Sequence, residues 1–232
     1  MSDEPAPARR PRRRSAAQRV LDFASFPLRA LTLFHEDACG LSSLATERYD
    51  YVARAVSGRC LDVGCGRHNR FIAEFHDGPG VGIDLFPYEG LGPEHLVESL
   101  LRLPFPDGSF DAVTFIANLN HCPRPDRDAE LAEAFRVLRP GGTIVVTMGH
   151  PVAEILVHQV VRAYDAVLGT KVDMDTERGM EEDEEYYLTD HEIRERLTRA
   201  GFVGIVKHRF TTQWGLNALF RASRPDAAAC DV

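Results

Sequence analysis

Cys60-Leu61-Asp62-Val63-Gly64-Cys65-Gly66-Arg67, followed closely by Gly80-Val81-Gly82-Ile83-Asp84, is the stretch around which the rest of the chain is organised. Each half reads as a short apolar strand ending in an acid, and the first strand runs into a turn with glycine at alternate positions. Glycines at 64 and 66 allow a sharp bend and leave room for a ligand where a Cβ would collide. Asp62 stands at the mouth of the first strand, and Asp84 arrives at the tip of the second. An acid about 20 residues beyond a glycine turn is the usual partner of a ribose diol. Two acids and no basic residue between Asp62 and Gly66 favour a ligand carrying ribose hydroxyls and a cation over a pyrophosphate.

Two later segments extend the pattern. Leu103-Pro104-Phe105-Pro106-Asp107-Gly108-Ser109-Phe110-Asp111-Ala112-Val113 leads into a near-continuous apolar run, Phe110 to Ile116, expected of a parallel strand buried on both faces. Leu138-Arg139-Pro140-Gly141-Gly142-Thr143-Ile144-Val145-Val146 closes a helix spanning 126–138 and opens another buried strand, 143–148. In this order and at this spacing the three segments resemble the class I S-adenosylmethionine-dependent methyltransferases, over roughly residues 45–222.

The resemblance implies an α/β fold: a Rossmann-like, seven-stranded, mostly parallel sheet with helices on both faces and a C-terminal antiparallel hairpin. It implies S-adenosyl-L-methionine as cofactor and S-adenosyl-L-homocysteine as product. Asp62, Gly64, Cys65, Gly66, Asp84 and Asn118 are its cofactor positions, Leu85 and Phe86 pack on the adenine, and Ser99 and Leu100 read the adenine amino group. The short helix expected over 67–76 would turn its positive N-terminus toward the methionine carboxylate. The chain departs from the family at His68, where a third glycine often stands, and at Ser99, where an aspartate is usual.

Methyl transfer is an in-line displacement that requires nucleophile and methyl about 3–3.5 Å apart with water excluded. An alcohol, phenol or carbon acid must also lose a proton. Asn118-Leu119-Asn120-His121-Cys122-Pro123 follows the expected fourth strand and stands nearest that chemistry. His121 is the first candidate for a general base, against the plainer reading of a histidine that lines the cofactor pocket. His150 is the second, against a cap on the helix expected from Pro151. Cys122 reads as structural, since its order with Pro123 is the reverse of a Pro-Cys nucleophile motif. The segment lacks the Asn/Asp-Pro-Pro-Tyr loop that grips a planar amino group, which argues against nucleobase or glutamine amide methylation. Tyr186, Tyr187 and Trp214 are candidates to wall a substrate pocket, against core packing or surface exposure. The acidic run Asp173 to Glu185, with eight carboxylates and one arginine, reads as a solvated lid. No metal site is assigned, because Asp84 is given to ribose.

At 232 residues, 44% hydrophobic and 27% charged, the chain suits one soluble α/β domain with extensions. A formal charge of −8 opposes bulk attraction to nucleic acid. Cysteines at 39, 60, 65, 122 and 230 form no zinc-type or Cys-x-x-Cys spacing, and with no apolar run near the ~20 residues of a membrane span the expectation is a cytoplasmic protein with free thiols. Residues 1–14 read as a disordered basic tail. Residues 15–43 read as an N-terminal helical lid broken near Pro27, whose apolar stripe Val20, Leu21, Ala24, Leu28, Leu31 and Phe34 is expected to pack on the core. With arginines before it, an interfacial helix making weak membrane-surface contact is the competing reading. Residues 44–222 form the catalytic domain, with a helical and acidic insertion at 151–188, and 223–232 form a tail. The function expected is methylation at O, N or C of a small-molecule acceptor, natural-product or quinone-like, as in the ubiquinone/menaquinone-biosynthesis-like branch. The alternatives are an RNA or protein methyltransferase using the basic tail, and a non-catalytic S-adenosylmethionine-binding module. A nicotinamide oxidoreductase would want glycine in place of Asn69.

Overall fold

The computed structural model describes residues 13–33, 36–150 and 188–226. Among these residues the apolar runs form six strands: β1 (Cys60–Val63), β2 (Gly80–Ile83), β3 (Phe110–Ile116), β4 (Leu138–Gly149), β5 (Val203–Arg209) and β6 (Asn217–Ser223). They make one sheet in the order β2-β1-β3-β4-β6-β5. β1 pairs parallel with β2 and β3, and β3 pairs parallel with β4. β6 is antiparallel to both β4 and β5, which gives the expected closing hairpin.

Among the described residues four α-helices accompany the sheet: α1 (Ala16–Thr32), α2 (Leu44–Ala53), α3 (Arg127–Val137) and α4 (Asp190–Arg199). Alternate residues of the central strands serve opposite faces. Leu61, Val63, Val113, Phe115, Ile144 and Val146 join Leu131 of α3 and Ile193 and Leu197 of α4 in one core. Cys60, Ala112, Ile116 and Val145 join Val52 of α2 with Phe71 and Phe75 in the other. Helix α4 starts on a capping box: Thr189 Oγ1 accepts from Glu192 N while the Glu192 carboxylate accepts from Thr189 N, at 3.2 and 2.8 Å.

The expected seventh strand is reduced to a single bridge. Leu96 meets Asp84 in one parallel bridge, held by Asp84 N to His95 O at 2.8 Å and Val97 N to Asp84 O at 3.1 Å. The cause lies in the connection, where Pro87, Gly90, Gly92 and Pro93 shape a loop and a 3₁₀ turn (Pro93–His95) that deliver only a few extended residues to the edge.

Helix α1 departs from expectation twice. It runs unbroken through Pro27. A proline leaves the carbonyl four residues earlier without its intrahelical donor, and that carbonyl, Phe23 O, receives the indole N–H of Trp214 at 3.0 Å. Of the apolar stripe, Val20, Leu21 and Leu28 also face outward at 70, 45 and 57% exposed, with Phe23 beside them at 52%. The inner face carries Asp22, Phe26 and Arg29, all buried. Burial of charge is tolerated there because partners are at hand. Arg14 lies 2.7 Å from both Asp22 and Glu47 and 3.3 Å from Asp50, and Arg29 lies 3.1 Å from Glu47. Gln213, in the 3₁₀ turn Thr211–Gln213 between β5 and β6, donates to Glu47 at 2.7 Å. A polar network thus fixes α1 to α2 and to this turn, and the apolar stripe is left outside. Phe34 and His35 lie outside the described residues.

Candidate functional site

The site is built at the carboxyl ends of β1, β2 and β3, where open α/β sheets bind ligands. In the ladder Asp62 stands opposite Gly82 on one side and Thr114 on the other. Its side chain points to the α2 face and is buried. Thr114 Oγ1 donates to Asp62 Oδ1 at 2.6 Å. Burial pushes the Asp62 carboxyl up to about 7 against the pull of the Thr114 bond, with Asp84 adding like-charge repulsion. Half-buried Tyr49 of α2 packs on Phe71 and Phe75, with Arg70 over its ring at 5.7 Å. Burial, and then the nearby Asp62 charge, raise the phenol above its usual range.

Beyond Asp62 the backbone turns as the glycines require. Gly64 and Gly66 have φ of 72° and 62°. A Cβ on Gly64 would lie 2.2 Å from the Asn118 side chain, so that position admits only glycine while Asn118 closes over it. At Gly66 an added Cβ would meet nothing within 4 Å, so the second glycine borders open space. Gly64 N and Cys65 N both donate to Ile83 O, and Gly66 N donates to Asp84 Oδ2 at 3.0 Å. Asp84 Oδ1 accepts from Phe86 N at 3.1 Å. The two acids expected to work together are therefore brought together, and Asp84 is held on two backbone amides with lone pairs to spare. Cys65 is buried, and burial, with Asp62 and Asp84 nearby, pushes its thiol up.

The helix expected over 67–76 does not form. A 3₁₀ turn (Arg67–Asn69) is followed by a single π turn (Phe71–Phe75), with His68 and Asn69 at φ of 58° and 45°. No continuous helix dipole points at the turn, so the proposed dipole for a carboxylate is withdrawn. His68 instead sits against the 88–91 loop, its N–H donating to Glu89 O at 2.8 Å. Asn69 is buried against β2, where a Cβ on Gly82 would lie 2.0 Å from its Oδ1, and that oxygen has no hydrogen-bond partner among the described residues.

The other candidates are distributed unequally. Leu85 is 40% exposed beside the Asp84 carboxylate and Phe86 is half-buried, its ring 6.0 Å from that of Tyr88. Leu100 is buried in the α3-side core, and Ser99 Oγ accepts from Leu101 N at 3.1 Å. Asn118 is buried over Gly64, and its carbonyl accepts from His121 N at 2.8 Å. His121 Nε2 lies 3.1 Å from Asn120 Nδ2. His150 is exposed, with its N–H on Leu216 O. Trp214 packs on Phe23 and Phe26 of α1 at 6.2 and 5.5 Å, so it braces that helix rather than walling the turn. Tyr186, Tyr187 and the acidic run lie outside the described residues. A cleft of about 720 Å³ lined by Leu101, Pro104, Phe105, Glu133 and Arg136 lies at the entry of β3, away from the glycine turn, and contains none of these residues.

Several residues of the site escaped sequence reading. Thr114 reaches Asp62 only through the β1–β3 register. Buried Arg127 at the start of α3 donates to Cys122 O at 2.9 Å and to Asn120 O at 3.4 Å, clamping the segment that carries His121. Glu130, one turn on, is also buried, and desolvation raises its carboxyl to about 7. Cys122 is buried beside Glu130, which together with desolvation pushes its thiol well up, as suits a structural role. The available signal was the Arg127–Glu130 spacing on one helix face, which sequence alone assigns equally well to solvent.

Residues 61–146 match the methyltransferase domain family. The demethylmenaquinone methyltransferase of Thermus thermophilus is 35% identical over 102 residues, which cover 38% of this chain and 46% of that protein. The ubiquinone/menaquinone biosynthesis C-methyltransferase of Azotobacter vinelandii is 29% identical over 130 residues, 53% of this chain and 50% of that protein. The chain thus spans about half the length of the curated relatives it matches. Among solved structures, the 1,6-didemethyltoxoflavin N1-methyltransferase of Burkholderia thailandensis aligns with a TM-score of 0.53 at 16% identity, covering 91% of this chain and 89% of that one. At that identity the likeness is one of fold.

Proposed function

We propose that this chain, whose residues 61–146 form a methyltransferase domain of the class I S-adenosylmethionine-dependent type, transfers a methyl group to O, N or C of a small-molecule acceptor. The observation that carries the reading is the acidic glycine turn, in which Asp84 accepts from Gly66 N at the edge of open space and lies near enough to buried Asp62 to repel its charge. The residues fit S-adenosylmethionine. Asp84 keeps free lone pairs for a ribose diol, and Asp62 offers a buried carboxylate to a cationic end. The unpartnered Oδ1 of Asn69 is a buried acceptor near the same turn. When bound, the cofactor supplies an activated methyl group. The chain's own work is to orient and to exclude water. Asn118 closes over Gly64, Arg127 holds the 120–122 backbone, and His121 on that segment is the group we assign to accept a proton from the acceptor. The relatives' small acceptors, quinones and a toxoflavin precursor by their names, support a small-molecule class. Burial of Arg14 in an ion network removes one member of the arginine cluster from any nucleic-acid role.

Calorimetric titration with S-adenosylhomocysteine tests the site. The wild type should bind, and Asp84→Ala should lose charge-assisted bonds of about 1.5–3 kcal/mol, an affinity loss of about ten- to hundredfold. Equal affinity in a variant with unchanged circular dichroism would overturn the assignment.

A further inference from the structure

The outer face of α1 has no role in the glycine turn and is unusual for a soluble domain. Val20, Leu21, Phe23, Ala24 and Leu28 lie on one side of the helix, all exposed, while the charged residues Asp22 and Arg29 face inward. The polar side is fixed by Arg14, Arg29, Glu47 and Gln213, so the outward direction of the apolar side is built in. Trp214, 54% exposed, extends the patch at its edge with its N–H already satisfied by Phe23 O. A contiguous exposed apolar face of this kind marks an interaction surface.

Charge identifies the occupant. Arg13 and Arg19 are exposed at the N-terminal end of the face, and Arg9, Arg10 and Arg12 precede them in sequence. Helix α1 carries no exposed carboxylate, since its one acid, Asp22, is buried. A chain with a formal charge of −8 has therefore gathered cations beside its apolar helix face. We propose that α1 is an interfacial docking helix that seats this chain on an anionic lipid bilayer, with Val20, Leu21, Phe23 and Leu28 entering the acyl boundary and Arg13 and Arg19 on the headgroups. Apolar area and attraction to anionic lipid are the two terms of such binding. A second copy would offer apolar surface but the same basic rim. The turn that anchors α1 leads into β6, which pairs with the C-terminal end of β4, and His150 N bonds Leu216 O there, so docking brings the ligand-binding end of the sheet toward the bilayer.

The test is flotation of the full chain with vesicles of phosphatidylcholine alone and of phosphatidylcholine mixed equally with phosphatidylglycerol. The wild type should float with the anionic vesicles only and be released by high salt. Val20→Ser/Leu28→Ser, at two exposed positions, should keep its thermal melt and bind about tenfold or more weakly. Arg13→Glu/Arg19→Glu should weaken binding by about fivefold per arginine removed. No flotation, equal flotation with neutral vesicles, or serine variants that float like the wild type would each overturn the proposal. So would a dimer in sedimentation velocity that the serine variant dissociates while no vesicle is bound, which would give the face to a second copy.

Discussion

Asp62 shows how a position read from sequence acquires its chemistry from the fold. The Asp-x-Gly-x-Gly spacing is local and was legible, because glycine conformations and a strand-end acid are properties of a few consecutive residues. Thr114 was not legible, since only the pairing of β1 with β3 sets its hydroxyl on Asp62. Burial raises both Asp62 and Glu130 to about 7. In the unfolded chain they ionise near the usual carboxylate value, about 4. Between about pH 4 and pH 7 the folded state therefore binds more protons than the unfolded one. This contribution to stability is full below about 4 and is lost as pH rises through about 7. Urea unfolding of the ligand-free protein should show a lower midpoint at pH 7.5 than at pH 5, and Asp62→Asn should flatten that slope (about half of it, with Glu130 intact). An unchanged slope would show that Asp62 is ionised in the fold. Gly64→Ala should cost about 2–4 kcal/mol, from a left-handed φ of 72° and contact with Asn118. Asn118→Ala in the same chain should return the contact part and not the backbone part. Thermal melts of the single and double variants measure the split.

At the level of elements, apolar runs and caps located the strands well: β3 is found at the predicted Phe110 to Ile116, and α4 begins on its capping box. Helix α1 was misread because amphipathicity gives the direction of a helix face only if the apolar side is the one that packs. Here Asp22 and Arg29 lie on the same side seven residues apart, and their partners, Arg14 and Ser42 for Asp22 and Glu47 for Arg29, lie outside the helix. The break expected at Pro27 failed for the same reason, because the donor that relieves Phe23 O comes from Trp214. Removing Arg29 leaves Glu47 with Arg14 as its one buried cation among the described residues and leaves the Asp22 and Ser42 carbonyls without a charged donor. Arg29→Met should therefore destabilise the protein by about 1.5–3 kcal/mol in urea unfolding. A loss within experimental scatter would show that the network is solvated and does not hold α1.

For the whole molecule, the sheet order β2-β1-β3-β4-β6-β5 places the acidic turn at the carboxyl ends of β1 and the edge strand β2, with the antiparallel hairpin closing the other edge. The fold class was legible from three ordered segments. The strand count was not, because a loop rich in glycine and proline before Leu96 decides between a strand and a bridge by a few residues of extension. The family match over residues 61–146 spans β1 to β3 and most of β4 and leaves α1 and the closing hairpin outside it. The most direct test is to supply methyl-labelled S-adenosylmethionine and purified protein to a cell extract, then separate small molecules, lipids, RNA and protein. The account predicts label in the small-molecule or lipid fraction, abolished or sharply reduced by Asp84→Ala. Label confined to RNA or protein, or none in any fraction, would contradict it.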